Sequence, residues 1–430
     1  MRPVRIVGGR VLDPATGLDA VADVRVRGGR VAAIAPALEP LADEEVLDAR
    51  GCIVAPGFVD LHCHLGDGEE GDGETLASLA AAAAAGGFTT VCCLGGVAPG
   101  LDRGAVLALR VRAADLPVRL LPIGRLTRGG DGAELAELGE LAEAGVVAFA
   151  DARPLRSSRL LRHALAYSTM LGRPVVDHAV DPELAEGGLA HEGAVATHLG
   201  LPGIPAAAEE IGVGRAIALA RLTGGRLHLA HLSAAEAVEL VRAARAAGVR
   251  VTAEVAAHHL LLTEEVVARG PGGHPYDPST KLDPPLRTAA DAAALRAALA
   301  EGVIDAVVSD HRPQRPAAKA CEYAYAAPGA SALETTLAVL MELVATGALS
   351  LTAAVRALTS GPASVFGLPA GRLAVGELAD LVIFDPDARW TVDPSRFRSR
   401  AQSTPLAGRT LHGRVLATLV GGAIVHREGI

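Results

Sequence analysis

Eight short apolar runs rich in β-branched residues recur along the middle of the chain. They are "FVDLHCH", "FTTVCCLG", "VRLLPIG", "VVAFAD", "PVVDHA", "RLHLAHLS", "VRVTAEV" and "DAVVSDH". Long Ala/Leu/Arg/Glu stretches of helical period separate them. A continuous apolar run reads as a parallel strand buried on both faces, and eight alternating with helices is the count of a (β/α)8 barrel. A doubly wound open sheet is the competing architecture. No helix opens with a glycine-rich phosphate loop, which counts against it. Half of the residues are hydrophobic and only 3% are aromatic, so the expected core is built of Ala, Val and Leu.

The two ends of the chain follow a different rhythm. The first fifty residues and roughly the last sixty alternate apolar and polar positions between turns such as "DPATG" and "RGGR", the pattern of short antiparallel strands. The expected fold is therefore α/β: a TIM-like barrel over residues 54–365, with residues 1–53 and 366–430 pairing into one small β-sandwich.

Composition narrows the function. A formal charge of −9 argues against nucleic acid as a partner. The N-terminus has no apolar signal core, and the longest small-apolar run, "LASLAAAAAAGGF", is too short to span a bilayer. Five cysteines, an odd count without zinc-finger spacing, read as free thiols of a cytoplasmic protein with no membrane partner. The only lysines are Lys281 and Lys319.

Polar residues collect at the C-terminal ends of the eight runs: His62 and His64, Asp151, His178, His231 and Asp310. In a barrel of this kind the chemistry sits at that end. His62 and His64 share one side of their strand because side chains alternate, and Cys63 points away. A lone histidine would read as a core residue, but several convergent ligand types point to a metal. Imidazole and carboxylate suit zinc, as one or two ions, with Fe, Mn, Co or Ni also compatible. Such an ion lowers the pKa of bound water to about 7 and polarises a carbonyl. Asp310 is placed to bind it, to take a proton from the attacking water and to return it to a leaving nitrogen.

The segments "VAPGFVDLHCH", "AAAAGGFTTV", "VVDHAVDPEL", "HLAHLS", "VTAEVAAHHLLLTEE", "DPPLR" and "DAVVSDHRP" follow, in order, the signatures of a known family. The chain resembles the cyclic amidohydrolases, and within them the dihydroorotases of the long bacterial type. The terminal stretches "ELADLVIFDP" and "STPLAGRTLHGRV" resemble that family's flanking domain. The resemblance implies metal ligation by His62, His64, His178, His231 and Asp310. It implies hydrolysis of a small cyclic amide, dihydroorotate, to N-carbamoyl-aspartate and back, in pyrimidine synthesis.

The chain departs from the family at several points. The bridging carboxylate expected after the fourth strand is Ala152 in "FADARP"; three arrangements fit: Asp151 swings in, hydroxide alone bridges, or one metal is held. The arginine that grips the substrate carboxylate in the family is Gly66 here. The family asparagine after strand two is Gly96, the one before "PPLR" is Asp283, and the histidine two residues after Arg312 is Gln314. Arg153 and Arg312 are the candidate replacements for the lost grip, unless they pair with the acidic loop at 67–74. Tyr323 and Tyr325 fall on a loop that can cover the site. Three functions follow: a dihydroorotase, a related hydrolase of an uncharged or cationic cyclic amide or imide, or an impaired structural partner of aspartate transcarbamoylase. A homo-oligomer is compatible with each.

Overall fold

The computed structural model describes residues 2–66, 73–95 and 101–430. Gly96 and the acidic residues Asp67, Glu69, Glu70 and Asp72 lie outside them.

The chain opens with β1 (Val4–Asp13), β2 (Leu18–Arg27), β3 (Arg30–Ala35), β4 (Glu45–Asp48) and β5 (Ile53–Pro56). It then enters the barrel: β6 (Phe58–His64), β7 (Phe88–Leu94), β8 (Arg119–Arg125), β9 (Phe149–Ala150) and β10 (Val175–Asp177). A small excursion, β11 (Ala190–His191) paired with β12 (Gly203–Ile204), precedes β13 (Leu227–Leu229), β14 (Val251–Ala256) and β15 (Ala306–Val308). The last strands are β16 (Leu381–Thr391), β17 (Thr410–Val420) and β18 (Ala423–Arg427).

All eight runs read as barrel strands are strands, parallel and in the order β6-β7-β8-β9-β10-β13-β14-β15. Every residue of β6 and β7 is buried, as expected for strands covered on both faces. The barrel closes between its first and last strands. Cys63 pairs with His311 in a parallel bridge, and the His64 N–H donates to the His311 carbonyl at 2.8 Å. Asp60 pins the same seam, accepting from the Ser309 N–H at 3.0 Å and from the Ser309 hydroxyl.

Both ends of the chain join one sheet, in the order β18-β17-β16-β5-β1-β2-β3, with β4 also on β1. The expected sandwich takes the form of a single mixed sheet: β1 runs parallel to β4 and β5, and the other pairings are antiparallel. One core joins Val4, Ile6, Val24 and Leu47 from the first strands to Leu381, Ile383 and Leu419 from the last. Leu12, Phe384, Leu411 and Val415 belong instead to the large core shared with the barrel. This fixes the sheet against it.

Helix packing sets the position of the site. The helix Ala206–Thr223 crosses the chain just after β10, and at Gly212 a Cβ would stand 2.4 Å from the Ala179 backbone. Glycine there lets the helix approach the segment that carries His178.

A candidate metal centre at the mouth of the barrel

Several barrel strands are shorter than the runs that encode them, because the chain leaves the sheet where the polar residues begin. His178 follows β10 directly, and His231 and Asp310 each come two residues after β13 and β15. His231 and Asp310 have φ of 32° and 48°, a left-handed conformation that costs a non-glycine residue about 1–3 kcal/mol. That turn presents both side chains at the C-terminal mouth.

One small pocket is lined by His62, His64, His178 and His231 together with Asp151, Asp283 and Arg312. The rings of His62 lie 5.3 Å from His64 and 4.8 Å from His231, and His178 lies 4.6 Å from His231, centroid to centroid. Ligating atoms of His62, His64 and Asp310 all fall within 4.8 Å of one another. His64 Nε2 is 3.9 Å from Asp310 Oδ1.

These groups are buried, and burial governs their charge. It pushes His64 and His231 well below the usual imidazole range, with Arg312 adding to the effect at His64 and the crowding of other histidines at both, and lowers His178 as well. Burial pushes Asp310 up to about 7, against the pull of His62 and Arg312. Neutral imidazoles offer lone pairs. His178 Nε2 is buried with no hydrogen-bond partner. His62 goes the other way: burial alone would lower it, but the carboxylates of Glu254, Asp310 and Asp60 outweigh that and raise it. Neutral His64, His178 and His231 beside a buried carboxylate fit a divalent cation better than they fit each other.

Asp151 lines the pocket, but its oxygens are engaged elsewhere. Oδ1 accepts from the N–H groups of Leu126 and Thr127 at 3.0 and 3.1 Å, and Oδ2 from the Thr127 hydroxyl. In this conformation Asp151 ties the end of the fourth barrel strand to the loop after the third.

Among the residues expected to meet substrate, Asp283 Oδ1 lies 3.7 Å from His178 Nε2, and its Oδ2 lies 3.5 Å from Arg312. Arg312 thus faces Asp283, while the acidic residues 67–72 lie outside the described residues. Gln314 donates to the Pro328 carbonyl at 2.9 Å and braces a loop. Arg153 is exposed on the rim of a larger adjoining cavity shared with His178, Lys281 and Asp283. Tyr323 is buried and its ring lies 5.8 Å from the Lys281 ammonium, whereas Tyr325 is 81% exposed. Cys63, Cys92 and Cys93 are fully buried free thiols.

Sequence reasoning passed over a buried layer behind the pocket. Glu254 accepts from His62 and His228, Asp60 clamps the barrel seam, and Arg287, the last residue of "DPPLR", joins Ser233, His191 and Glu209. The signal was present: Asp60, His228 and Glu254 are ionisable residues inside runs otherwise apolar enough to be buried strands.

A profile of the amidohydrolase family matches residues 53–425. A parallel barrel with a buried His/Asp cluster at its mouth is in keeping with that match, and the chain belongs to the amidohydrolase family, as a hydrolase. Within it the chain sits among the dihydroorotases. It is 49% identical over 427 residues to a dihydroorotase of Anaeromyxobacter dehalogenans, covering 98% of each chain. Against a dihydroorotase of Pelotomaculum thermopropionicum it is 46% identical over 378 residues, 87% of each. Among solved structures, the L-hydantoinase (dihydropyrimidinase) from Arthrobacter aurescens matches with a TM-score of 0.87 at 28% identity, covering 100% of this chain and 97% of that one.

Proposed function

We propose that the chain is a metal-dependent dihydroorotase, opening dihydroorotate to N-carbamoyl-aspartate and closing it again in pyrimidine synthesis. The observation that carries this reading is the buried group of His62, His64 and Asp310 with His178 and His231 beside it. In the proposal these five residues hold zinc, as one or two ions. Bound there, such an ion would polarise a carbonyl and would lower the pKa of water enough to make it a nucleophile near neutral pH.

The chain's own residues do the rest. Asp310, buried beside the histidines, takes the proton of the attacking water on a carboxylate oxygen. The amide C–N bond breaks as Asp310 delivers that proton to the leaving nitrogen. Ring closure runs the same steps backwards. Deep burial excludes bulk water from the exchange.

The substrate carboxylate needs a cation. Gly66 offers none, and Arg312 already faces Asp283. Arg153, on the rim with no ion pair among the described residues, is the proposed grip. The test is turnover of dihydroorotate and cyclisation of N-carbamoyl-aspartate by zinc-loaded protein. No turnover in either direction at full metal occupancy overturns the reading.

One observation favours a second reading. Asp283 puts a carboxylate into the pocket, 3.7 Å from His178, where it repels an anionic substrate and suits an uncharged or cationic cyclic amide. Turnover of hydantoin or dihydrouracil in place of dihydroorotate would select that reading.

The proposal extends to a cytoplasmic location and to a division into a barrel over 54–365 flanked by 1–53 and 366–430. Its partners are a second copy of the chain or aspartate transcarbamoylase, distinguishable by light scattering alone and in mixture. No helix among the described residues is long and apolar enough to cross a membrane.

A further inference from the structure

Glu254 sits in β14 with its side chain wholly buried, reaching past β15 to the first barrel strand. Its Oε1 is 2.8 Å from His62 Nδ1 and its Oε2 is 2.9 Å from His228 Nε2. His228 is itself fully buried, and its Nδ1 is 2.8 Å from the Thr252 hydroxyl. The result is a chain of hydrogen bonds, Thr252–His228–Glu254–His62, that runs inward from half-buried Thr252 and ends on a residue of the pocket. A carboxylate in such surroundings is strongly unfavourable unless it is fully paired, and an apolar side chain of the same size would fill the space without that penalty.

We propose that Glu254, backed by His228 and Thr252, is a positioning residue that presets His62 for metal binding. The carboxylate only accepts at Nδ1, so the proton stays on that nitrogen and the lone pair is left on Nε2. The bond also fixes the plane of the ring and makes the imidazole a stronger donor to a cation. His228 holds the other carboxylate oxygen, so that Glu254 cannot swing toward the metal and become a ligand itself. The inference rests on the metal reading of the site and deepens it.

The test reads metal affinity, not activity. Zinc affinity is measured by competition with a chromogenic chelator for the wild type, Glu254→Gln and Thr252→Val. Glutamine keeps the shape and loses the charge, and zinc binding is expected to weaken about 10- to 100-fold. Thr252→Val, which removes only the far end of the chain, is expected to weaken it by a smaller factor, with the melting temperature, lowered by the unpaired His228 Nδ1, read alongside. Nitrogen-15 spectra of the metal-free wild type, followed up in pH until His62 is neutral, should show its remaining proton on Nδ1. This measurement stands even if Glu254→Gln fails to fold. A neutral His62 whose single proton sits on Nε2 in the wild type, or zinc affinity in Glu254→Gln within twofold of the wild type, overturns the positioning role. A wild type that binds no zinc would instead bring down the metal reading, and the positioning role with it.

Discussion

Gly66 lies against Glu74: a Cβ on the glycine would stand 2.6 Å from the Glu74 Cβ and 2.7 Å from its carbonyl oxygen. Glu74 is itself held, accepting from the Ser399 hydroxyl and from the N–H groups of Arg400 and Ala401 at 3.4 and 3.3 Å. The family arginine therefore cannot be restored here without moving a segment tied to the C-terminal part of the chain. Gly66→Ala should destabilise the protein by about 1–3 kcal/mol, the usual cost of overpacking, read from urea unfolding. Gly66→Arg should bring no gain in dihydroorotate turnover. An alanine variant as stable as the wild type would show that Glu74 yields freely.

Asp310→Asn separates ligation from proton transfer. Asparagine retains an oxygen donor and cannot accept the proton, so turnover should fall by about 10²- to 10⁴-fold while most of the metal stays bound. Paired measurements of kcat and metal stoichiometry check this. Activity at the wild-type level would remove Asp310 from the role of base.

The two arginines should behave differently. Losing a charge-assisted grip on a carboxylate commonly costs about 2–5 kcal/mol, and if Arg153 is that grip, Arg153→Ala should raise KM by at least tenfold with kcat nearly unchanged. Arg312→Ala leaves Asp283 without its cation beside His178, and should lower kcat as well. Equal effects of the two variants on KM alone would contradict this division.

Lys319 gives a pH signature away from the site. Its ammonium donates to the carbonyls of Pro278 and Lys281 at 2.8 and 3.4 Å, and burial, aided by Lys281, lowers its pKa to about 7. An unfolded lysine titrates near 10.4. Between about pH 7 and 10 the unfolded chain then binds more protons at this residue than the folded one, so its contribution to stability rises with pH across that window. Lys319→Met should flatten the rise in unfolding free energy between pH 7 and 9.5. Parallel pH profiles for the two proteins would rule the shift out.

What the sequence made legible follows from local physics. Each barrel strand is covered on both faces, so its apolar run needs no partner to be recognised, and the polar residues ending the runs marked the mouth. The sheet at the chain's ends was legible as strands but not as one mixed sheet, because register and the parallel pairing of β1 with β5 depend on distant contacts. The same limit hid the commitments of Asp151 to Thr127, Arg312 to Asp283 and Gln314 to Pro328. Each is a choice among partners that only the folded chain brings together. Glu254 and His228 were visible as misfits in apolar strands, but their joint meaning appears only once β13, β14 and β6 surround one interior.

The shared core of the terminal sheet sets a timetable for synthesis. Val4, Ile6 and Val24 are made first, yet the leucines and isoleucine they pack against, Leu381, Ile383 and Leu419, emerge only after the whole barrel. At about 5–20 residues per second, the opening strands wait roughly 20–80 s for them. During that interval an apolar face stands open on the nascent chain, with β5, already able to join β1, presenting the unfilled edge where β16 must dock. A ribosome-bound chain halted before residue 381 should therefore recruit a chaperone at its first thirty residues, and release it when the final strands arrive.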